Sequence, residues 1–321
     1  MQKFEIGNES PLSEHNGATF FVDLPTKGRF YPSEHPLYNK EQVEVKMMTT
    51  KEEEILTNPS YIEKNLTMDK LLQSVLNLSK IEASELFDAD QFALMIALRI
   101  DAYDSNYGIV TECESCGKEY GFDINLEEIL SKVDEGDIEK TINNTFVTTL
   151  PKSGKSVEYK LLTPKDLVLI QKTTEKLKSM NVNTSFLQEL YKRIILSIDG
   201  SADPQEKDIL IKSMRIMDSR FLFATYAKSI PELDLNVVST CEHCSHQQEG
   251  GMPIQANFFS LNSNYIEDLY TNITAIVSQT GWSYKDLFNL PIKKRNWIFQ
   301  LIFKLDQQAN EDGEEHNREK H

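Results

Sequence analysis

Four cysteines are the residues of this chain best suited to chemistry, and they fall as two Cys-x-x-Cys pairs, Cys113 with Cys116 and Cys241 with Cys244. A knuckle of this spacing lets two thiolates converge on one ion while amides of the turn point at the sulfurs. Two knuckles supply four thiolates, the tetrahedral donor set that zinc favours. Gly117 follows the first pair, a small residue suited to the turn after the second ligand, and Ser245 stands there in the second pair. Residues 117–240 separate the pairs, far more than a ribbon spacing, so an ion held by all four would join distant parts of the chain. Thiol redox is the competing chemistry. A redox Cys-x-x-Cys opens a helix, whose N-terminus lowers the thiol pKa, whereas both pairs here sit between extended runs rich in Val, Thr, Phe and Ile. The expectation is one structural zinc per chain on Cys113, Cys116, Cys241 and Cys244, with His243 and His246 as solvated turn residues.

Other catalytic constellations are missing. The sequence has no Gly-rich phosphate loop, no His-Glu-x-x-His and no Gly-x-Ser-x-Gly. It has only six histidines for acid–base work. A non-enzyme is expected. The acidic run Glu52-Glu53-Glu54 reads as complementation of a helix dipole rather than as metal ligands. Lys293-Lys294-Arg295 could touch RNA together with Trp297. The stripe Trp297, Ile298, Leu301, Ile302 and Leu305 reads as a terminal amphipathic helix whose apolar side faces a core.

Charge narrows the partners. With 34 basic against 50 acidic side chains the formal charge is −16, which disfavours duplex nucleic acid and a polybasic membrane anchor. No run approaches the ~20 apolar residues of a membrane-spanning helix. The opening residues lack the apolar region of a secretory signal. Synthesis in a reducing cytoplasm is expected, where paired thiols bind metal more often than they crosslink.

These residues need elements to position them. Phe20–Leu24 and Val43–Met47 read as short strands around the turn Pro25-Thr26-Lys27-Gly28. Thr49 or Thr50 starts a helix, each with Glu three residues on, and Asn58-Pro59-Ser60 ends it. Further helices follow Thr67 and Asp88, the latter with Gln91 at the capping-box position. Residues 109–126 and 236–258 read as extended arms holding the cysteine pairs. Phe146–Leu162 reads as a hairpin turning at Lys152-Ser153-Gly154-Lys155. Helices are expected at about 164–179, 185–198, 204–228, 263–280, 283–289 and 291–308. The class is α+β, mostly helical, with short β-hairpins and a long-range zinc-ribbon-like element. The division expected is a flexible arm over 1–20, a strand–helix unit over 21–145 with the first cysteine arm, and a hairpin, helices and the second arm over 146–260. Helices over 261–308 and a disordered acidic tail over 309–321 complete it.

Leu24-Pro25-Thr26-Lys27-Gly28-Arg29-Phe30-Tyr31-Pro32, followed by Val43-Glu44-Val45-Lys46-Met47-Met48-Thr49-Thr50-Lys51-Glu52-Glu53-Glu54-Ile55-Leu56-Thr57-Asn58, resembles the opening of baseplate hub proteins from T-even-like contractile-tailed phages. In that family a Leu-Pro-(Ser/Thr)-Lys-Gly…Tyr-Pro turn leads through a strand to a Met-Thr…Glu-Glu-Ile-Leu helix. The two Cys-x-x-Cys arms, Phe258-Phe259 and the Trp-containing last helix are also similar to its longer members. The resemblance implies a structural virion protein of the tail baseplate, made in the bacterial cytoplasm and joined to other baseplate or tail proteins. It implies no small-molecule substrate. Leu24, Pro25, Lys27, Gly28, Phe30 and Tyr31 are then candidates for a docking turn, and Trp297 for a second contact. The same turn could instead order only its own strand. A zinc-ribbon nucleic-acid-binding regulator is the alternative function, which the charge balance disfavours.

Overall fold

Strand β1 (Thr19–Asp23) pairs antiparallel with β2 (Gln42–Lys46), bringing Val22 opposite Val43 and Phe20 opposite Val45. The computed structural model describes residues 18–76, 81–134, 144–252, 254, 256–259, 261 and 264–318. The arm expected over 1–20 lies outside the described residues up to 17, and its last two residues belong to β1.

Four helices follow. They are α1 (Thr50–Thr57), α2 (Pro59–Glu63), α3 (Thr67–Val75) and α4 (Asp88–Ala102). Of the two candidate caps, Thr49 is used. Glu52 answers it by accepting the Thr49 amide at 2.8 Å, which satisfies a donor that the first helical turn leaves open. Asn58 ends α1 and caps α2, with Pro59 at its first position. No side-chain cap forms at Asp88: Phe87 is the capping residue, and Asp88 lies inside the first turn of α4. The carboxylate two residues on, Asp90, is drawn into the core instead.

The first cysteine arm is the hairpin of β3 (Asn106–Glu112) with β4 (Glu119–Asn125). Helix α5 (Leu126–Leu130) and strand β5 (Val133–Asp134) follow it. The predicted hairpin forms as β6 (Phe146–Thr149) and β7 (Ser156–Tyr159). Helices α6 (Pro164–Ser179) and α7 (Phe186–Ile194) come next. The helix expected to run to residue 198 stops at Ile194. Ile195–Ile198 is a strand, β8, that pairs with β7. Its two β-branched isoleucines, Ile195 and Ile198, one at each end and both buried, suit a third strand better than another helical turn. The helix expected over 204–228 is likewise two, α8 (Pro204–Ser213) and α9 (Ile216–Ser229), with Met214 extended between them. The break lets buried Asp218 accept the amides of Lys152 and Ser153 at 2.7 and 3.1 Å, closing the β6–β7 turn.

Strand β9 (Glu232–Leu233) pairs with β5, and β10 (Asn236–Thr240) with β11 (Gln247–Gly251) forms the second cysteine arm. Three helices finish the chain: α10 (Tyr265–Thr280), α11 (Tyr284–Phe288) and α12 (Ile292–Arg318). The last runs past its predicted end at 308, with helical backbone to Arg318.

Helix is the commonest state, at 49% of the described residues, and the paired strands are short and antiparallel, which makes the class α+β. One continuous core takes side chains from Val22 to Ile292, and Phe146 of the hairpin stacks at 5.5 Å on Phe30 of the opening turn. A smaller core holds α10, α11 and α12 together through Leu269, Ile273, Leu287 and Phe299.

Candidate metal centre

Each cysteine pair sits at the tip of its hairpin in the same backbone turn. The Cys113 amide donates to the Lys118 carbonyl at 2.9 Å, and the Gly117 amide to the Cys113 carbonyl at 2.8 Å. In the second arm Cys241 to His246 and Ser245 to Cys241 repeat these bonds at 2.9 and 2.8 Å. The turn needs a left-handed residue after its second cysteine: Gly117 has φ +68° and Ser245 φ +59°. Glycine adopts this conformation freely, and serine does so at a cost.

The hairpin tips meet. Cys113 Sγ lies 3.6 Å from Cys244 Sγ, Cys116 Sγ lies 3.8 Å from Cys241 Sγ, and all four sulfurs fall within 4.8 Å of one another. A tetrahedron of thiolates around zinc, with bonds of ~2.3 Å, has sulfur–sulfur edges of about 3.8 Å. The donor set therefore fits one tetrahedral ion. Cys113 and Cys241 are buried, and Cys116 and Cys244 are exposed.

Proton affinities show what this convergence costs without a cation. Burial opposes charge on Cys113, yet the Cys116 and Ser115 amides and the sulfurs of Cys244 and Cys241 bring its pKa down to about 6. The His246 amide favours the Cys244 thiolate, but burial and three neighbouring sulfurs outweigh it and push that thiol up to about 11. Thiolates this close repel one another, and positive charge placed among them favours the ionised form.

Residues that composition did not mark hold the arms together. Gln248 of β11 accepts the Glu114 amide at 3.0 Å and donates to the Glu112 carbonyl at 3.2 Å, strapping itself across the first knuckle. His243 Nε2 reaches the Glu119 carbonyl at 3.1 Å, so this histidine bridges the arms rather than standing free. Buried Tyr120 and Ser239 share a 2.7 Å hydrogen bond behind the sulfurs. Aligning the arms on their cysteines sets Gln248 level with Tyr120.

The opening turn packs into the body of the chain. Leu24, Pro25, Gly28 and Tyr31 are buried, and Lys27 and Phe30 are half-buried. Asp90 organises the turn, accepting from the Thr26 amide at 2.9 Å, the Thr26 hydroxyl at 2.6 Å and the Tyr31 hydroxyl at 2.7 Å. Phe30 and Tyr31 fill space against Phe87 and Phe146 of the same chain. Trp297, by contrast, is 62% exposed.

The basic triplet is divided. Arg295 is fully buried and bonds Glu53 through both guanidinium nitrogens, so Lys293 and Lys294 alone of the three are exposed. The acidic run does more than complement a dipole. Glu52 bonds Thr49 and Ser74, Glu53 bonds Arg295, and Glu54 accepts from Tyr270. The stripe on α12 also divides: Ile298 and Ile302 pack on the smaller core, while Trp297, Leu301 and Leu305 are exposed.

No described helix is long and apolar enough to cross a membrane. No curated protein and no solved structure is significantly similar to the chain. A family model described as T4 bacteriophage base plate protein matches residues 21–260. That span takes in the opening turn, the acidic helix and both cysteine arms, so the chain belongs to the T4 bacteriophage base plate protein family and is a structural protein of a T4-like phage baseplate.

Proposed function

We propose that this chain is a non-catalytic assembly subunit of the baseplate hub region, stapled by one structural zinc on Cys113, Cys116, Cys241 and Cys244. It is made in the bacterial cytoplasm, enters the virion during tail assembly, and joins neighbouring baseplate or tail-tube proteins. The observation that carries this reading is the convergence of four sulfurs from hairpins 125 residues apart into one closed donor set. An ion held by four thiolates keeps no position for water or substrate, so it can fasten strands but cannot polarise a bond. Burial of Arg295 supports joining over nucleic-acid binding, because it removes the last cation of the basic triplet. Exposed Ile209, Ile216, Met217 and Phe223 on α8 and α9 are apolar surface of the kind that neighbours cover.

Elemental analysis of protein purified without chelator tests the metal: about one zinc per chain is expected, falling on Cys241→Ser. Metal-free protein, or unchanged zinc in the variant, overturns it. Reconstruction of assembled tails tests the hub assignment, and a position away from the tail axis would refute it. Salt-sensitive binding of DNA or RNA by the pure protein would favour the nucleic-acid regulator instead.

A further inference from the structure

Helix α12 leaves the body of the protein part-way along its length. Ile292 and Arg295 are fully buried and Phe299 nearly so, but Phe303, Lys304, Leu305, Gln307 and Gln308 are all exposed. The backbone stays helical to Arg318. At ~1.5 Å per residue, the helix from 303 to 318 is about 24 Å long. A single polar helix of that length is marginal in water and is stabilised by packing against something.

Two features define what it packs against. Trp297, Leu301 and Leu305 recur at helical spacing on the exposed side, 62%, 42% and 54% accessible, as one apolar stripe centred on Leu301. Charge along the helix is polarised, with Lys293 and Lys294 at its start and Asp306, Glu311, Asp312, Glu314 and Glu315 toward its end. A second α12 laid antiparallel across the stripe sets Trp297 opposite Leu305 of the second copy and Leu301 opposite its own counterpart. Lys293 and Lys294 then lie opposite positions 309 and 308 of the second copy, within a turn of Glu311 and Asp312. A parallel pair sets lysine on lysine and acid on acid.

We propose that α12 is a self-association helix, pairing antiparallel with α12 of a second copy about a two-fold axis through Leu301. Such an interface is isologous, so one stripe serves both partners and the assembly closes at two. The inference depends neither on zinc nor on the hub position.

Sedimentation equilibrium of the full chain at micromolar concentrations tests it. A reversible monomer–dimer equilibrium is expected, with Leu301→Glu raising Kd at least about tenfold by burying unpaired charge at the centre. Paired Lys293→Glu and Lys294→Glu should weaken the dimer, and adding Glu311→Lys with Asp312→Lys in the same chain should restore it. Orientation is read by oxidising a mixture of Trp297→Cys and Leu305→Cys chains, which should crosslink to each other and not to themselves. A chain that stays monomeric throughout overturns the proposal. So does a dimer indifferent to Leu301→Glu, or crosslinking of each cysteine variant with itself.

Discussion

Arg295 and Glu53, 242 residues apart in sequence, meet in a bidentate ion pair, and neither side chain has any exposed surface. Nitrogen–oxygen distances of 2.5 and 3.0 Å form the fork, and the Thr50 hydroxyl takes a further guanidinium donor at 2.7 Å. The Tyr265 hydroxyl donates to the same carboxylate at 2.5 Å, and its own ionisation is pushed well up by burial and then by that charge. The pair ties the start of α12 to α1, and with Tyr265 it draws in α10. It is thus the polar seam between the larger core and the smaller one.

Removing one partner leaves the other charged, buried and unmatched, which typically costs about 3–5 kcal/mol. Arg295→Met and Glu53→Gln should each lower the unfolding free energy of the full chain, measured by urea denaturation, by that order. The double variant should lose less than the two singles added together, because it strands no charge. Additive losses would mean the pair does not act as a unit.

Gly28→Ala should be among the most damaging small substitutions in the opening turn. Gly28 has φ +66°, and an added Cβ would stand 2.2 Å from the Leu37 carbonyl oxygen and 2.5 Å from the Lys40 nitrogen. Those atoms are backbone and cannot rotate away, so a loss of roughly 2–3 kcal/mol or more is expected in chemical denaturation. A variant that melts like the parent would show that the turn can rearrange freely.

Ser245→Gly should stabilise the protein. Ser245 holds the left-handed turn position that Gly117 fills in the first knuckle, and its Cβ makes that conformation unfavourable by about 1 kcal/mol. The midpoint should rise while the metal content stays unchanged. A fall would mean that the serine side chain makes a contact worth more than the strain.

His35 should make stability fall with acid. Burial lowers its pKa below 6.5, outweighing the opposing pull of Glu85. Its Nδ1 accepts the Leu37 amide at 3.2 Å, and its ring stacks on Tyr31 at 4.3 Å. The unfolded chain takes up this proton more readily than the folded one. The contribution is therefore complete above pH 6.5 and is lost as the pH drops below that value toward the folded pKa. Denaturation midpoints from pH 7.5 to 5 check it: His35→Gln should flatten the decline, and an unchanged slope would refute the assignment.

Local chemistry was readable along the chain where one short segment suffices to express it. The Thr49–Glu52 capping box, Pro164 behind its Thr163 cap, the turn at Lys152–Lys155 and both knuckles depend on residues within a few positions of one another. The two ends of α7 show the limit. Ser185 and Gln188 mark its start by a box, but its end at Ile194 is set by β7, which lies more than thirty residues earlier and takes Ile195–Ile198 as a third strand.

By itself the sequence determined the α+β class, the four cysteines as one donor set, and the family through its opening turn and acidic helix. All are carried by residue type and short spacing. Only the tertiary structure decided the partners of groups whose type permits several. Arg295 and Lys293 are both basic residues beside Trp297, yet one is sealed against Glu53 and the other faces solvent. His243 bridges the two arms, and Phe30 and Tyr31 fill their own chain's core. The physical reason is the same in each case: desolvation and packing depend on what the rest of the chain brings to that point, and spacing along the chain carries no record of it.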